Sequence, residues 1–194
     1  MNSDPEFRSE PIVVADSSDD EEVATSLDLQ NVEVQTDWAE GRERQISARI
    51  YIPYTIEQVW QVLTDYDHLA DFIPNLAKSR RLPHPEGGIR LEQVGSQSFL
   101  KLKFCARVVL DMVEQFPNAL NFQMIEGDFK AFSGQWQLQP AIAEGQIGTT
   151  LCYTVRVLPP RTMPVGLIER RLHHNLAMNL ISVRQRVESL FRLS

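Results

Sequence analysis

The sequence predicts an α+β domain in which one curved antiparallel sheet of about seven strands wraps a long C-terminal helix, with two short helices after the first strand. Three observations predict it. Apolar and polar residues alternate through most of residues 45–158, the period of half-buried strands. The links between these stretches are short, so neighbouring strands run antiparallel. From Ile168 to Leu190 the apolar repeat changes to three and four, the period of a helix. A sheet whose inward side chains share one face needs a cover, and the long helix is the one element large enough to supply it.

The elements follow in order. Ile46, Ala48, Ile50 and Ile52 alternate with Gln45, Ser47, Arg49 and Tyr51 in a first strand, and Pro53 ends it. Thr55 stands at an N-cap position with Gln58 three residues on, a capping-box spacing ahead of Ile56, Val59, Trp60 and Leu63. Asp65 is placed to cap a second short helix that carries Leu69, Phe72 and Ile73 and stops at Pro74. Leu76–Leu82 and Ile89–Ser98 read as strands around the turn Pro83–Gly88. The alternation from Leu100 to Met112 is the cleanest in the chain, and its length implies a curved strand. After the Pro117-Asn118 turn come Leu120, Phe122 and Met124, then Phe132, Gly134, Trp136 and Leu138, then Leu151, Tyr153, Val155 and Val157. Pro159, Pro160 and Pro164 precede the long helix, whose stripe is Ile168, Leu172, Leu176, Leu180, Val183, Val187 and Leu190.

Charge divides the chain. Of its 26 acids and 19 lysines and arginines, residues 1–37 hold eleven acids and one base, Arg8, which leaves 15 acids and 18 bases for residues 38–194. Residues 1–37 are therefore expected to be a disordered acidic tail, densest at Ser17–Glu22, and 38–194 the folded domain. No apolar run approaches the ~20 residues that span a bilayer. Two cysteines, Cys105 and Cys152, and four histidines, without HExxH or CxxC spacing, give neither a disulfide framework nor a metal site. A reducing, cytoplasmic setting fits this composition, and nothing asks for a cofactor.

Three segments carry a family resemblance. Ile52-Pro53-Tyr54-Thr55-Ile56-Glu57-Gln58-Val59-Trp60 resembles the strand–proline–helix opening of the polyketide cyclase/dehydrase branch of the START/SRPBCC superfamily. Asp65-Tyr66 through Phe72-Ile73-Pro74 is similar to that branch's D-Y-x-x-x-x-F-x-P segment. Gly127-Asp128-Phe129-Lys130 through Gly134-Gln135-Trp136 is similar to its G-x-F-K/R-x-x-x-G-x-W segment. By these motifs the coenzyme Q-binding START-like proteins are the nearest relatives. The resemblance covers about residues 45–192 and implies the helix-grip fold, whose concave core is often hollow.

A hollow under one helix has the size and lining for a small apolar ligand. The inward candidates on the sheet are Leu102, Phe104, Val108, Leu110, Phe122 and Met124, then Trp136, Tyr153 and Val155. Asn175 and Met178 flank the apolar stripe of the helix. Trp136 and Tyr153 carry polar tips able to orient a ligand. Phe72 and Ile73, with Met163, Val165 and Leu167, are placed to form the entrance, where apolar side chains at a mobile rim can touch a membrane in passing. Glu126 is expected at a strand end in water. His173-His174 and the bases of the long helix, Arg171 among them, are expected on a solvated face.

These residues predict a module that binds, and carries or presents, a lipid, isoprenoid or quinone-like molecule. No catalytic residue is assigned, since the sequence places no nucleophile beside a base. A cyclase or dehydratase using the same cavity is the second reading. A ribosome- or RNA-associated protein is the third, weakened by a charge of only +3 over residues 38–194, so no nucleic acid is expected as a partner.

Overall fold

The computed structural model describes residues 31–38, 41–99, 102–143 and 145–192; the side chains at positions 38, 97–99 and 102–104 lie outside the described residues. The expected tail 1–37 lies mostly outside them.

Alternation builds the sheet as physics requires. Ile46, Ala48, Ile50 and Ile52 are each at most 2% exposed, while Arg49 between them faces water. Eight strands are described: β1 Glu33–Trp38, β2 Arg44–Ile52, β3 Leu76–Leu82, β4 Ile89–Phe99, β5 Leu102–Gln115, β6 Ala119–Gly127, β7 Ala131–Ala143 and β8 Gln146–Leu158. All pairs are antiparallel, in the order β1-β2-β8-β7-β6-β5-β4-β3. β2 thus lies beside the last strand, and the chain crosses to the far edge before β3. That crossing contains helix α1, Ile56–Leu63, and a 3-10 turn at Leu69–Asp71. The 27-residue helix α2, Val165–Phe191, covers the concave face, and its length of about 40 Å reaches across the sheet.

Local chemistry explains the short elements. Thr55 Oγ1 accepts from the Gln58 amide, and the Gln58 side chain accepts from the Thr55 amide, closing the capping box. Asp65 caps no second α-helix. Its carboxylate is held 2.7 Å from His68 Nδ1, and the segment makes a single 3-10 turn before Pro74.

An edge strand, β1, brings the sheet to eight against the expected about seven, and it runs from Glu33, ahead of Trp38. Glu33 and Asp37 place it inside the acidic stretch by composition. It is an edge strand with one solvated face, where Glu33 pairs with Arg49 at 2.6 Å and Asp37 accepts from Gln35 and Gln45. Its other face sends Val34, with Val32 before it, onto the core.

The core lies between β2, β8, α1 and α2. Leu176, Leu180, Val183 and Val187 of α2 are each at most 2% exposed and pack with Ile50, Val59 and Leu151. Among the described residues no helix is long and apolar enough to cross a membrane.

Candidate ligand cavity

Towards the start of α2 the helix and sheet part, and a cavity of about 540 Å³ opens between them. Its floor is made by β4 to β8. Val108, Leu110 and Met112 of β5 and Leu120 and Phe122 of β6 share it, with Met112 directly opposite Phe122, and Trp136, Tyr153 and Val155 continue the row.

Aromatic rings shape this floor. Trp136 and Tyr153 are direct cross-strand partners with ring centroids 3.7 Å apart and planes within 2°. Phe122 lies 5.6 Å from Phe132, which stacks on Phe129 at 5.5 Å. Gly134 makes this packing fit: a Cβ there would stand 2.5 Å from the Phe122 ring. Burial pushes the Tyr153 phenol above its ordinary range. Tyr66, 1% exposed, donates to Glu114 Oε1 at 2.7 Å, and burial followed by that bond pushes its phenol up as well.

The ceiling is the flank of α2 carrying Ile168, Leu172, Leu176 and Val183, interleaved with Arg171, Asn175 and Asn179. The three polar residues stand four apart, which sets them in one row along the helix. The segments expected to form the rim line the cavity through Ile73, Pro74 and Asn75 and through Thr162, Met163, Pro164 and Leu167. Arg42 holds the second segment in place. Its Nη2 donates to the carbonyls of Pro160 at 3.0 Å and Met163 at 2.6 Å, and its Nε is buried without a hydrogen-bond partner among the described residues. Arg44 reaches Glu169 at 3.0 Å and ties β2 to the start of α2.

The structure sorts the predicted residues. Val108, Leu110, Phe122, Trp136, Tyr153, Val155 and Asn175 meet around the cavity, and Ile73, Met163 and Leu167, expected at its entrance, line it as well. The side chains of Leu102 and Phe104 lie outside the described residues. Met124 is not on the lining: it packs against the core, with its sulfur close to Gly127 at the end of β6. Met178 is not on it either. It lies one residue, about 100° around the axis, from Asn179 and packs on the core from the side. Phe72 packs on the core beneath Arg186, whose guanidinium carbon is 5.6 Å from the ring centre, and Val165 begins α2 outside the lining.

Glu126 is exposed and pairs with Arg107 at 2.5 Å. His173 and His174 face a separate open groove beside β1. Arg171 departs from the expected solvated face and lines the cavity. The four-residue step from Arg171 to Asn179 was the available signal, hidden because the apolar stripe beside it dominates the helical pattern. On the opposite face of the sheet, Glu92 is 7% exposed and accepts from Lys78 at 2.7 Å, Arg107 at 2.8 Å and Arg80 at 2.7 Å. These bonds hold its carboxyl down at about 2.

Residues 52–181 match the sequence pattern of the family described as polyketide cyclase / dehydrase and lipid transport. The chain belongs to this family. Within the family and fold, its shape is similar to a STAR-related lipid transfer protein from Xanthomonas axonopodis at a TM-score of 0.64 and 16% identity, covering 82% of this chain and 94% of that one. It is also similar to the Zhui aromatase/cyclase from a Streptomyces species at a TM-score of 0.60 and 16% identity, covering 75% and 94%. In sequence it is 26% identical over 100 residues to the ribosome association toxin RatA of Escherichia coli, covering 52% of this chain. The chain spans 61% of the length of that curated relative. These structural neighbours establish the helix-grip fold of START-like proteins.

Proposed function

We propose that this polyketide cyclase/dehydrase-family domain binds an apolar small molecule, of lipid, isoprenoid or quinone-like character, in the cavity under α2 and carries or presents it. The observation that supports this most is the cavity itself: about 540 Å³ walled by aliphatic side chains and by the Phe122, Phe132, Trp136 and Tyr153 rings. Burying an apolar molecule there contributes about 25 cal/mol for each Å² removed from water. Ile73, Met163 and Leu167 at the rim are suited to brief contact with a membrane from which such a molecule is drawn. The purified protein, examined by native mass spectrometry, is expected to carry an apolar molecule. Titration with quinones, polyprenols and fatty acids is expected to change tryptophan fluorescence saturably and return each ligand unaltered. Recovery of a chemically changed ligand would promote the cyclase reading instead.

The likeness to RatA favours a second reading, association with ribosomal particles. Co-sedimentation of the protein with ribosomes, lost at raised salt, would support it.

A further inference from the structure

Tyr153 stands on β8 in the interior of the sheet, between Ala48 of β2 and Trp136 of β7, and its side chain lines the cavity. Its hydroxyl has no hydrogen-bond partner among the described residues. The rings set against it, Trp136 at 3.7 Å and Phe122 at 6.2 Å between centroids, offer it no acceptor. Burial is the one cause that raises its phenol, so no charged group bears on the oxygen. Other polar side chains on the lining are placed differently. Gln93 donates to Ser79 Oγ at 3.4 Å, Ser96 Oγ accepts from the Cys105 thiol at 3.8 Å, and Arg171 and Asn175 hold interactions within the protein. Thr162 is exposed to water. Asn75 and Asn179 belong to the segment after the 3-10 turn and to α2, not to the aromatic floor.

A hydroxyl among rings loses its bonds to water when an apolar body fills the cavity, and an acceptor on that body restores one. With no cation beside it, the hydroxyl suits a neutral carbonyl better than a carboxylate, whose charge would stand unpaired in apolar surroundings. The parallel stack on Trp136 restrains the tyrosine ring, so the donor is set in place before a ligand arrives. We infer that the cavity selects an apolar ligand bearing a neutral carbonyl oxygen, which accepts a hydrogen bond from Tyr153 Oη while the stack with Trp136 positions the donor. This rests on the cavity being a binding site for apolar molecules, and names the feature it recognises in them.

9-Fluorenone and fluorene share a rigid ring skeleton and differ in one group, a carbonyl against a methylene. Tyr153→Phe keeps the ring and its stack and removes the donor, and thermal unfolding checks that the fold is retained. Equilibrium dialysis below the solubility limits is expected to show both compounds bound by the wild type. Tyr153→Phe is expected to weaken 9-fluorenone about fivefold, the ratio that about 1 kcal/mol of net hydrogen bonding produces, and to leave fluorene within about twofold. The infrared carbonyl stretch of bound 9-fluorenone is expected at lower frequency in the wild type than in Tyr153→Phe. Equal effects on the two compounds, or a stretch that does not move, would overturn the assignment to Tyr153 and leave the apolar cavity standing. Binding of neither compound by the wild type would instead overturn the cavity reading and the assignment with it.

Discussion

Trp136 and Tyr153 face each other across β7 and β8 with their rings parallel and 3.7 Å apart, so that they enter the cavity lining as one stacked pair. The Tyr153 hydroxyl makes no hydrogen bond to any described residue, although burial raises its phenol. A polar tip so placed contributes nothing to folding and is free to meet a ligand. Tyr153→Phe is therefore expected to leave unfolding free energy unchanged or to raise it by up to about 1 kcal/mol, whereas Trp136→Ala is expected to lower it by about 3 kcal/mol through lost packing. Denaturant titration distinguishes them, and a large loss in Tyr153→Phe would show that the hydroxyl is structural.

Glu92 gives a pH dependence with a definite sign. Its folded carboxyl, held at about 2 by Lys78, Arg107 and Arg80, lies below the value near 4.3 of an unfolded glutamate. The stability it supplies is fully present above about pH 4.5 and is lost as pH falls towards 2. Glu92→Gln is expected to be less stable than the parent at pH 7 and to show a flatter loss between pH 4.5 and 2, read from urea unfolding across that range. Parallel curves for both proteins would remove Glu92 from the account.

Arg42 binds the rim through carbonyls of Pro160 and Met163. Arg42→Ala is expected to speed hydrogen exchange at Met163, whose amide bonds the Pro160 carbonyl, by about tenfold. The global cost is about 1–2 kcal/mol for the lost bonds. Unchanged exchange at Met163 would show that the rim is held by other means.

Much of this molecule was legible in the residues. The two-residue alternation of Ile46–Ile52 and the i, i+4 stripe of Leu172, Leu176 and Leu180 each report a surface that must be buried, so strands, long helix and floor residues such as Val108 and Trp136 follow from pattern. What pattern does not report is where a side chain ends. Met124 shares a strand face with Phe122, yet its sulfur lies close to Gly127 at the end of β6 and off the cavity lining. Arg171 has the composition of a solvated face, but the gap between helix and sheet turns its edge into a ceiling. Glu92 is buried because three cations from β3 and β5 converge on it, a long-range arrangement with no local signature.

The strand β1 makes truncation informative. We expect removal of residues 1–30 to leave the unfolding midpoint in place, because their composition offers little apolar surface to bury. Removal of residues 1–38 takes β1 away, uncovers the edge of β2 and strips Val32 and Val34 from the core. A cost of about 2 kcal/mol or more and a tendency to associate through the bare edge are expected. Paired thermal melts and light scattering read both effects, and equal stability of the two shortened chains would show β1 to be dispensable.

Ala106 on β5 lines the cavity opposite Gly95 of β4, where an added ring would enter the hollow. Its half-buried position lets Ala106→Trp fill space at the ligand's expense while the fold is kept. The affinity of this variant for 1-tetradecanol, measured beside the wild type and with unfolding midpoints matched, is the most direct test of an apolar ligand under α2. Saturable binding by the wild type and a loss of at least about tenfold in Ala106→Trp are predicted. Equal affinity in the two proteins would place the ligand outside the cavity and contradict the account.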